Sequence, residues 1–228
     1  MIKPTFDPMP LRAQAVSILK EAIISGELHD GEVMTERTIL EKYNIGKTPF
    51  REAIQTLEAE GWVKKIPYKG TFVTPLTEKG IHDLFELRLY LETSILKHWQ
   101  RECSPKALHE LNKIQKEMEK SSALLTPEVF MQWDKDFHQV IYHSTLNDRI
   151  IAIYDQIKDH IRRIGLRVIH HEQRREEVIQ EHRAILTGLT NGRAEEAMEQ
   201  HLLKQKATFL KLLSLETNNP TQQRKDQQ

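Results

Sequence analysis

Residues Ile45 to Gly61 read IGKTPFREAIQTLEAEG, and this stretch decides how the N-terminal third of the chain is understood. Thr48 is placed to cap a helix with Pro49 in its first turn, Glu52 near its start and Gly61 just past its end, a consistent set of start and stop signals. Ala53, Ile54, Leu57 and Ala59 fall on an apolar stripe, which leaves Lys47, Thr48 and Arg51 at the N-terminal end facing outward. If such a helix is the second of a helix-turn-helix, that end enters the major groove of DNA, where cations and a hydroxyl meet phosphates and base edges. An ordinary amphipathic surface helix carries the same pattern, so its neighbours must decide.

Upstream, Leu11, Ala15, Ile18, Leu19, Ala22 and Ile23 recur at helical spacing and Gly26 closes the run. Asp30-Gly31 is a turn, and Thr35 is placed to cap a short helix to about Tyr43, with Ile39, Leu40 and Tyr43 as its core face. The short link from Asn44 to Lys47 then gives a helix-turn-helix. Downstream, Trp62–Ile66 and Thr71–Thr74 are strand-like and flank the turn Pro67-Tyr68-Lys69-Gly70, which adds a wing. Lys64, Lys65 and Lys69 can lie along phosphates, while Gly70 lets the backbone approach a duplex closely. In isolation the same lysines are solvated strand residues.

A chain of 228 residues has room for two domains, each with its own core. The formal net charge of zero neither supports nor excludes a nucleic-acid partner, because placement of the cations decides. Arg37 to Pro75 is locally basic, diluted by Glu41, Glu52, Glu58 and Glu60. Cys103 is the only cysteine, which rules out an intrachain disulfide and favours a reducing, cytoplasmic setting. No stretch approaches the ~20 apolar residues of a membrane span, and the N-terminus lacks a basic segment followed by an apolar core.

The succession Ile24-x-Gly26-x-Leu28, Gly31, Glu36, Thr48-Pro49-x-Arg51-Glu52-Ala53 and Leu57-Glu58-Ala59-Glu60-Gly61 resembles the N-terminal domain of GntR-family bacterial transcription regulators over roughly residues 11 to 75. The resemblance implies operator binding through Arg37, Lys47, Thr48, Arg51 and the wing glycine Gly70. Two departures stand out: Gly46-Lys47 replaces the usual Ser-Arg, and Asp30-Gly31 replaces the usual Pro-Gly. Lysine keeps the charge but lacks the planar fork that grips guanine.

Pro75-Leu76-Thr77 reads as a linker, so residues 1–76 form one domain and 77–216 the next, before a polar tail at 217–228. Helical segments are expected at about 78–101, 105–121, 127–145, 148–168, 171–190 and 193–215, separated by Ser104-Pro105, Thr126-Pro127, Asn147-Asp148 and Asn191-Gly192. The expected fold is mainly α: a winged helix-turn-helix followed by an all-α six-helix bundle.

Within that bundle Asp134 and His138 lie four apart, on one helix face. His182 stands nine residues before Asn191 and His201 nine after Gly192, so two antiparallel helices hinged there bring them side by side. One Asp and three His make a donor set suited to Zn, Ni, Mn or a similar divalent ion. Against this, the chain has eleven histidines, several of them simple surface candidates, and an Asp-His pair is often a helix-surface hydrogen bond. Asp134-x-x-Phe137-His138, Asn147, Glu181-His182 and His201 resemble the metal-binding pattern of the FCD domain of FadR-type GntR regulators, over about residues 78 to 215. Phe85-Glu86-Leu87-Arg88-x-x-Leu91-Glu92 belongs to the same pattern, and the six-helix count resembles its VanR-like group.

Arg88 lies on an otherwise apolar helix and can either hold a small carboxylate effector bidentately or pair with Glu92. The resulting expectation is a non-enzymatic, cytoplasmic homodimer on a short inverted-repeat operator, a repressor by default, whose DNA affinity responds to a small organic acid at a metal-containing sensor domain. Two alternatives remain: a metal-dependent hydrolase, and a dimerisation domain with a purely structural metal.

Overall fold

A computed structural model of the protein describes residues 10–102, 104–121, 125–169 and 172–218. Residues 1–9, Cys103, residues 122–124, His170, His171 and residues 219–228 lie outside the described residues. The chain divides into two compact units, Met1–Leu76 and Thr77–Gln228.

The first unit contains α1 (Leu11–Ile24), β1 (Val33–Met34), α2 (Glu36–Tyr43), α3 (Lys47–Ala59), β2 (Val63–Ile66) and β3 (Gly70–Val73). Helix α1 packs on α3 through Ala15, Leu19, Ala22, Ile23 and Ile24. Leu11 and Ile18, expected in that stripe, are 69% and 42% exposed. Leu11 sits in the first turn, and Ile18 lies some 60° from Ala15 on the edge of the stripe, at about 100° per residue. Leu40 is likewise exposed, and of the three expected core residues of α2 only Ile39 is buried. Thr35 caps α2 as expected, accepting from Thr38 N, and Asn44 ends it at φ 54.

Helix α3 begins earlier than its sequence suggests. Gly46 is its N-cap and Thr48 makes no capping bond. Pro49 has no N–H to satisfy and is tolerated anywhere in the first turn, so the helix extends back two residues, to a cap at Gly46. The buried face of α3 is Phe50, Ala53, Ile54 and Leu57, while Ala59 is exposed. The expected β2–β3 hairpin forms, with Ile66 opposite Gly70 and Val63 opposite Val73, so Gly70 belongs to the strand rather than to the turn. Strand β1, unforeseen, pairs with β3 to complete an antiparallel sheet of order β1-β3-β2.

The second unit is all helix among the described residues. Helix α4 runs continuously through Glu78–Arg88, a π-helical turn at Leu89–Thr93, and Ser94–Glu102. It is followed by α5 (Pro105–Ser121), α6 (Pro127–His143), α7 (Asp148–Val168), α8 (Glu172–Asn191) and α9 (Ala194–Asn218). The last helix thus passes the expected tail boundary at residue 217. Thr77, Thr126 and Asn147 cap α4, α6 and α7 with their side chains. A two-residue turn with Gly192 at φ +81 folds α9 back on α8, and Gly188 lets the turn approach: a Cβ there would lie 2.6 Å from Ala194 Cα. The buried face of α4 reads Ile81, Phe85, Arg88, Glu92, Ile95, Leu96 and Trp99, so an ion pair lies in the middle of an apolar stripe.

Candidate metal centre and nucleic-acid interface

In the first unit Lys47, Thr48 and Arg51 lie exposed at the N-terminal end of α3. Arg51 Nε donates to Glu36 Oε1 at 2.5 Å, and Lys47 Nζ lies 3.7 Å from Glu36 Oε2, so one acid on α2 faces both cations. Arg37, on the exposed side of α2, pairs with Glu41 at 2.8 Å. Gly70 opens β3 at φ +118, a conformation that favours glycine. Tyr68, not singled out from sequence, stands fully exposed at the wing tip with φ 63. Its signal was the turn itself, whose chemistry drew attention to the glycine instead.

In the second unit Asp134 and His138 of α6, His182 of α8 and His201 of α9 converge. One donor atom from each lies within 4.8 Å of the other three, and all four residues are buried. The helix period sets the first pair and the tight α8–α9 turn sets the second. His138 Nδ1 donates to Glu92 Oε2 at 2.6 Å, and His201 Nδ1 donates to Glu181 Oε2 at 2.8 Å. His182 stacks on Phe137 with centroids 4.0 Å apart, and neither of its ring nitrogens has a hydrogen-bond partner. Asp134 Oδ1 is also without one, lying 3.4 Å from His182 Nε2 without hydrogen-bond geometry.

The electrostatics leave one charge unmatched. Burial works to raise the Glu92 carboxyl, but Arg88 and His138 outweigh it and hold it near about 2. Burial likewise opposes ionisation of Glu181, and His201 with Arg174 brings it to about 2. Arg88 and Arg174 thus neutralise these two acids through bonds of 2.7 and 3.0 Å. Asp134 is held well below the usual carboxylate range despite burial, by the three imidazoles facing it, and has no Lys or Arg ion pair among the described residues. Burial pushes His182 down and takes His201 to about 3, so these imidazoles are neutral at pH 7. A buried carboxylate facing three imidazoles, with donor atoms left unpartnered, fits a divalent cation.

Arg88 joins the same cluster, fully buried. Its Nε donates to Glu92 and its Nη1 to Gln205 Oε1 at 2.9 Å, so the Glu92 pairing weighed from sequence is present, in the interior rather than on the surface. The cavity beside it, lined by Arg88, Met131, Asp134, His138 and Tyr154 among others, measures about 10 Å³. That is room for about one water molecule. Sequence reasoning did not foresee the roles of Glu92, Glu181 and Gln205. The apolar stripe of α4 carried the signal for Glu92.

A winged helix with outward cations, joined in one chain to an all-α unit with a buried donor cluster, is the arrangement of a DNA-binding regulator with a second, helical domain. Residues 11–73 match the gntR family of bacterial regulatory proteins, and residues 83–204 match the FCD domain. The chain is 25% identical over 197 residues to YdhC, an HTH-type transcriptional regulator of Bacillus subtilis, spanning 86% of this chain and 88% of that protein. It is 28% identical over 140 residues to the gluconate operon transcriptional repressor of Bacillus licheniformis, spanning 61% of this chain and 57% of the repressor. A GntR regulator from Rhodococcus sp. RHA1 shares the fold with a TM-score of 0.70 at 19% identity, over 87% of this chain and 97% of that one. The metal-free FCD domain of TM0439 matches with a TM-score of 0.51 at 26% identity, over 61% of this chain and 98% of that domain. The chain belongs to the GntR family and carries the FCD domain behind its DNA-binding one. It is a DNA-binding transcription regulator, and no helix of its described residues is long and apolar enough to cross a membrane.

Proposed function

We propose that the protein is a cytoplasmic, homodimeric repressor whose operator affinity is set by a small organic acid at a metal-containing sensor domain. Arg37, Lys47, Thr48, Arg51 and Gly70 contact the operator, a short inverted repeat. Asp134, His138, His182 and His201 hold one divalent ion, Zn, Ni or Mn, which supplies a Lewis-acidic position for a carboxylate oxygen. Arg88 engages the same acid through its guanidinium fork. The observation carrying this reading is the buried four-donor cluster with an uncompensated Asp134. Because the cavity beside Arg88 holds only about 10 Å³, the acid enters by displacing side chains, and that rearrangement gives it different affinities for two states of the bundle.

The small cavity also favours a second reading, in which the metal is structural and the domain serves for dimerisation. One experiment separates them. Metal is quantified in the purified protein, a tight-binding inverted-repeat duplex is selected from a random library, and its Kd is measured with a panel of small carboxylates including gluconate. The proposed function expects about one metal per chain and one acid that shifts Kd by roughly 5- to 150-fold in the metal-loaded protein only. Metal present with no response to any acid supports the structural role instead.

A further inference from the structure

The cluster is held from behind by two chains of the same composition. In one, Arg88 Nε donates to Glu92 Oε1 at 2.7 Å and His138 Nδ1 donates to Glu92 Oε2 at 2.6 Å, linking α4 to α6. In the other, Arg174 donates through both terminal nitrogens to Glu181, at 3.0 and 3.2 Å, and His201 Nδ1 donates to Glu181 Oε2 at 2.8 Å, linking α8 to α9. A neutral imidazole has one donor and one acceptor nitrogen, and a carboxylate beside Nδ1 selects the tautomer with the proton there. Both Nε2 atoms then carry lone pairs, and they face each other at 3.3 Å with no proton to share. Arg88 Nη2 lies 3.3 and 3.4 Å from the two nitrogens of the His138 ring, aligned with neither lone pair. Two such lone pairs repel each other unless a cation lies between them.

Resting on the metal reading above, we propose that Glu92 and Glu181 are positioning residues of the centre, each fixing one imidazole with Nδ1 protonated so that His138 Nε2 and His201 Nε2 meet the same ion. His182 has no such partner and depends on its stack with Phe137 for orientation. The two arginines keep each carboxylate an acceptor, so the order Arg, Glu, His is functional in both chains. Carboxylate partners of this kind typically alter metal affinity 10- to 100-fold.

The test is zinc affinity by chelator competition, with the visible spectrum of the cobalt-substituted protein, for the wild type, Glu92→Gln, Glu181→Gln and the control Glu119→Gln. Glu119 lines the groove that reaches His201 but bonds to Arg183, not to the cluster. Each of the first two variants is expected to bind zinc about 10- to 100-fold more weakly and to alter the cobalt bands. The control keeps both properties. Wild-type affinity and spectrum in both folded variants overturn the inference alone, whereas a wild type that takes up no zinc overturns the metal reading and the inference together. Should a variant fail to fold, the ring carbon and nitrogen shifts of His138 and His201 in the metal-free wild type decide: Nδ1–H tautomers support the assignment, and Nε2–H in either overturns it.

Discussion

Arg51 on α3 and Glu36 on α2 share a 2.5 Å hydrogen bond, and the other carboxylate oxygen of Glu36 lies 3.7 Å from Lys47. Two of the cations proposed for the operator, Lys47 and Arg51, thus face an acid of the preceding helix, with which phosphates must compete. Arg51→Ala is expected to weaken binding of the selected duplex by about 1–3 kcal/mol if Arg51 reads a base edge. Glu36→Gln should instead tighten binding to random duplex, because a negative charge leaves the phosphate-facing side. Fluorescence anisotropy across a salt series checks both; equal losses on specific and random duplex for Arg51→Ala would assign it to the backbone.

Metal addition should stabilise the second unit, since the ion supplies the countercharge Asp134 lacks. At a free zinc concentration of 100 times Kd the gain is about 2.7 kcal/mol. His182→Ala removes a donor with no other partner in the cluster and should abolish the zinc-induced rise in melting temperature. A rise of wild-type size in that variant would place the ion elsewhere.

Acid should destabilise the metal-free protein. Burial lowers His182 and takes His201 to about 3, while an unfolded histidine titrates near ~6.5. Below that value the unfolded chain takes up protons that the fold refuses, so the stability present above pH ~6.5 is lost as pH falls toward 3. Glu92 and Glu181, held at about 2 against an ordinary 4.5, extend the loss through the lower range. Melting temperatures of chelator-treated protein should therefore fall steadily from neutral pH downward. The ion leaves in the same direction, because its ligands must be deprotonated. A melting temperature that rises on acidification would mean that the imidazoles are charged in the fold.

Gly188→Ala should damage both stability and the centre. Its Cβ would meet the backbone of Ala194 at 2.6 Å, so the turn that sets His182 against His201 must shift. Overpacking of this kind costs about 1–3 kcal/mol, and zinc affinity should fall with it. At Gly165 the new Cβ would meet only the far end of Met131, which can move, so Gly165→Ala should be milder. Urea denaturation with zinc titration ranks the two, and the reverse order would remove the turn from the account.

Much of this organisation was legible in the residues. Helical period placed Asp134 beside His138, and the symmetry of His182 and His201 about Asn191-Gly192 brought the other two donors to them, because a tight antiparallel turn leaves little freedom of register. What failed was finer. Leu11, Ile18 and Leu40 are apolar residues at helical spacing that lie exposed, and spacing alone cannot tell where a stripe ends. Strand β1 has two residues and gains its hydrogen bonds from β3, far away in sequence, so no local pattern announces it. Glu92 and Glu181 read as ordinary helix acids; their bonds to His138 and His201 span 46 and 20 residues and exist only once the helices pack.

Strand β1 also changes how the DNA-binding unit can respond. Because Val33 and Met34 pair with Phe72 and Thr71, the segment leading into α2 is stitched to the wing, and Leu76 N is bonded to Asp30 Oδ2 at 3.0 Å where the chain leaves the unit. Helix α2 and the hairpin are therefore tied to each other through strand β1. Under the proposed function, an effector acting through the linker would therefore move wing and helix together. On the proposed function it would redirect the whole unit from its exit at Leu76, so that operator spacing, rather than base preference, would be the quantity under control.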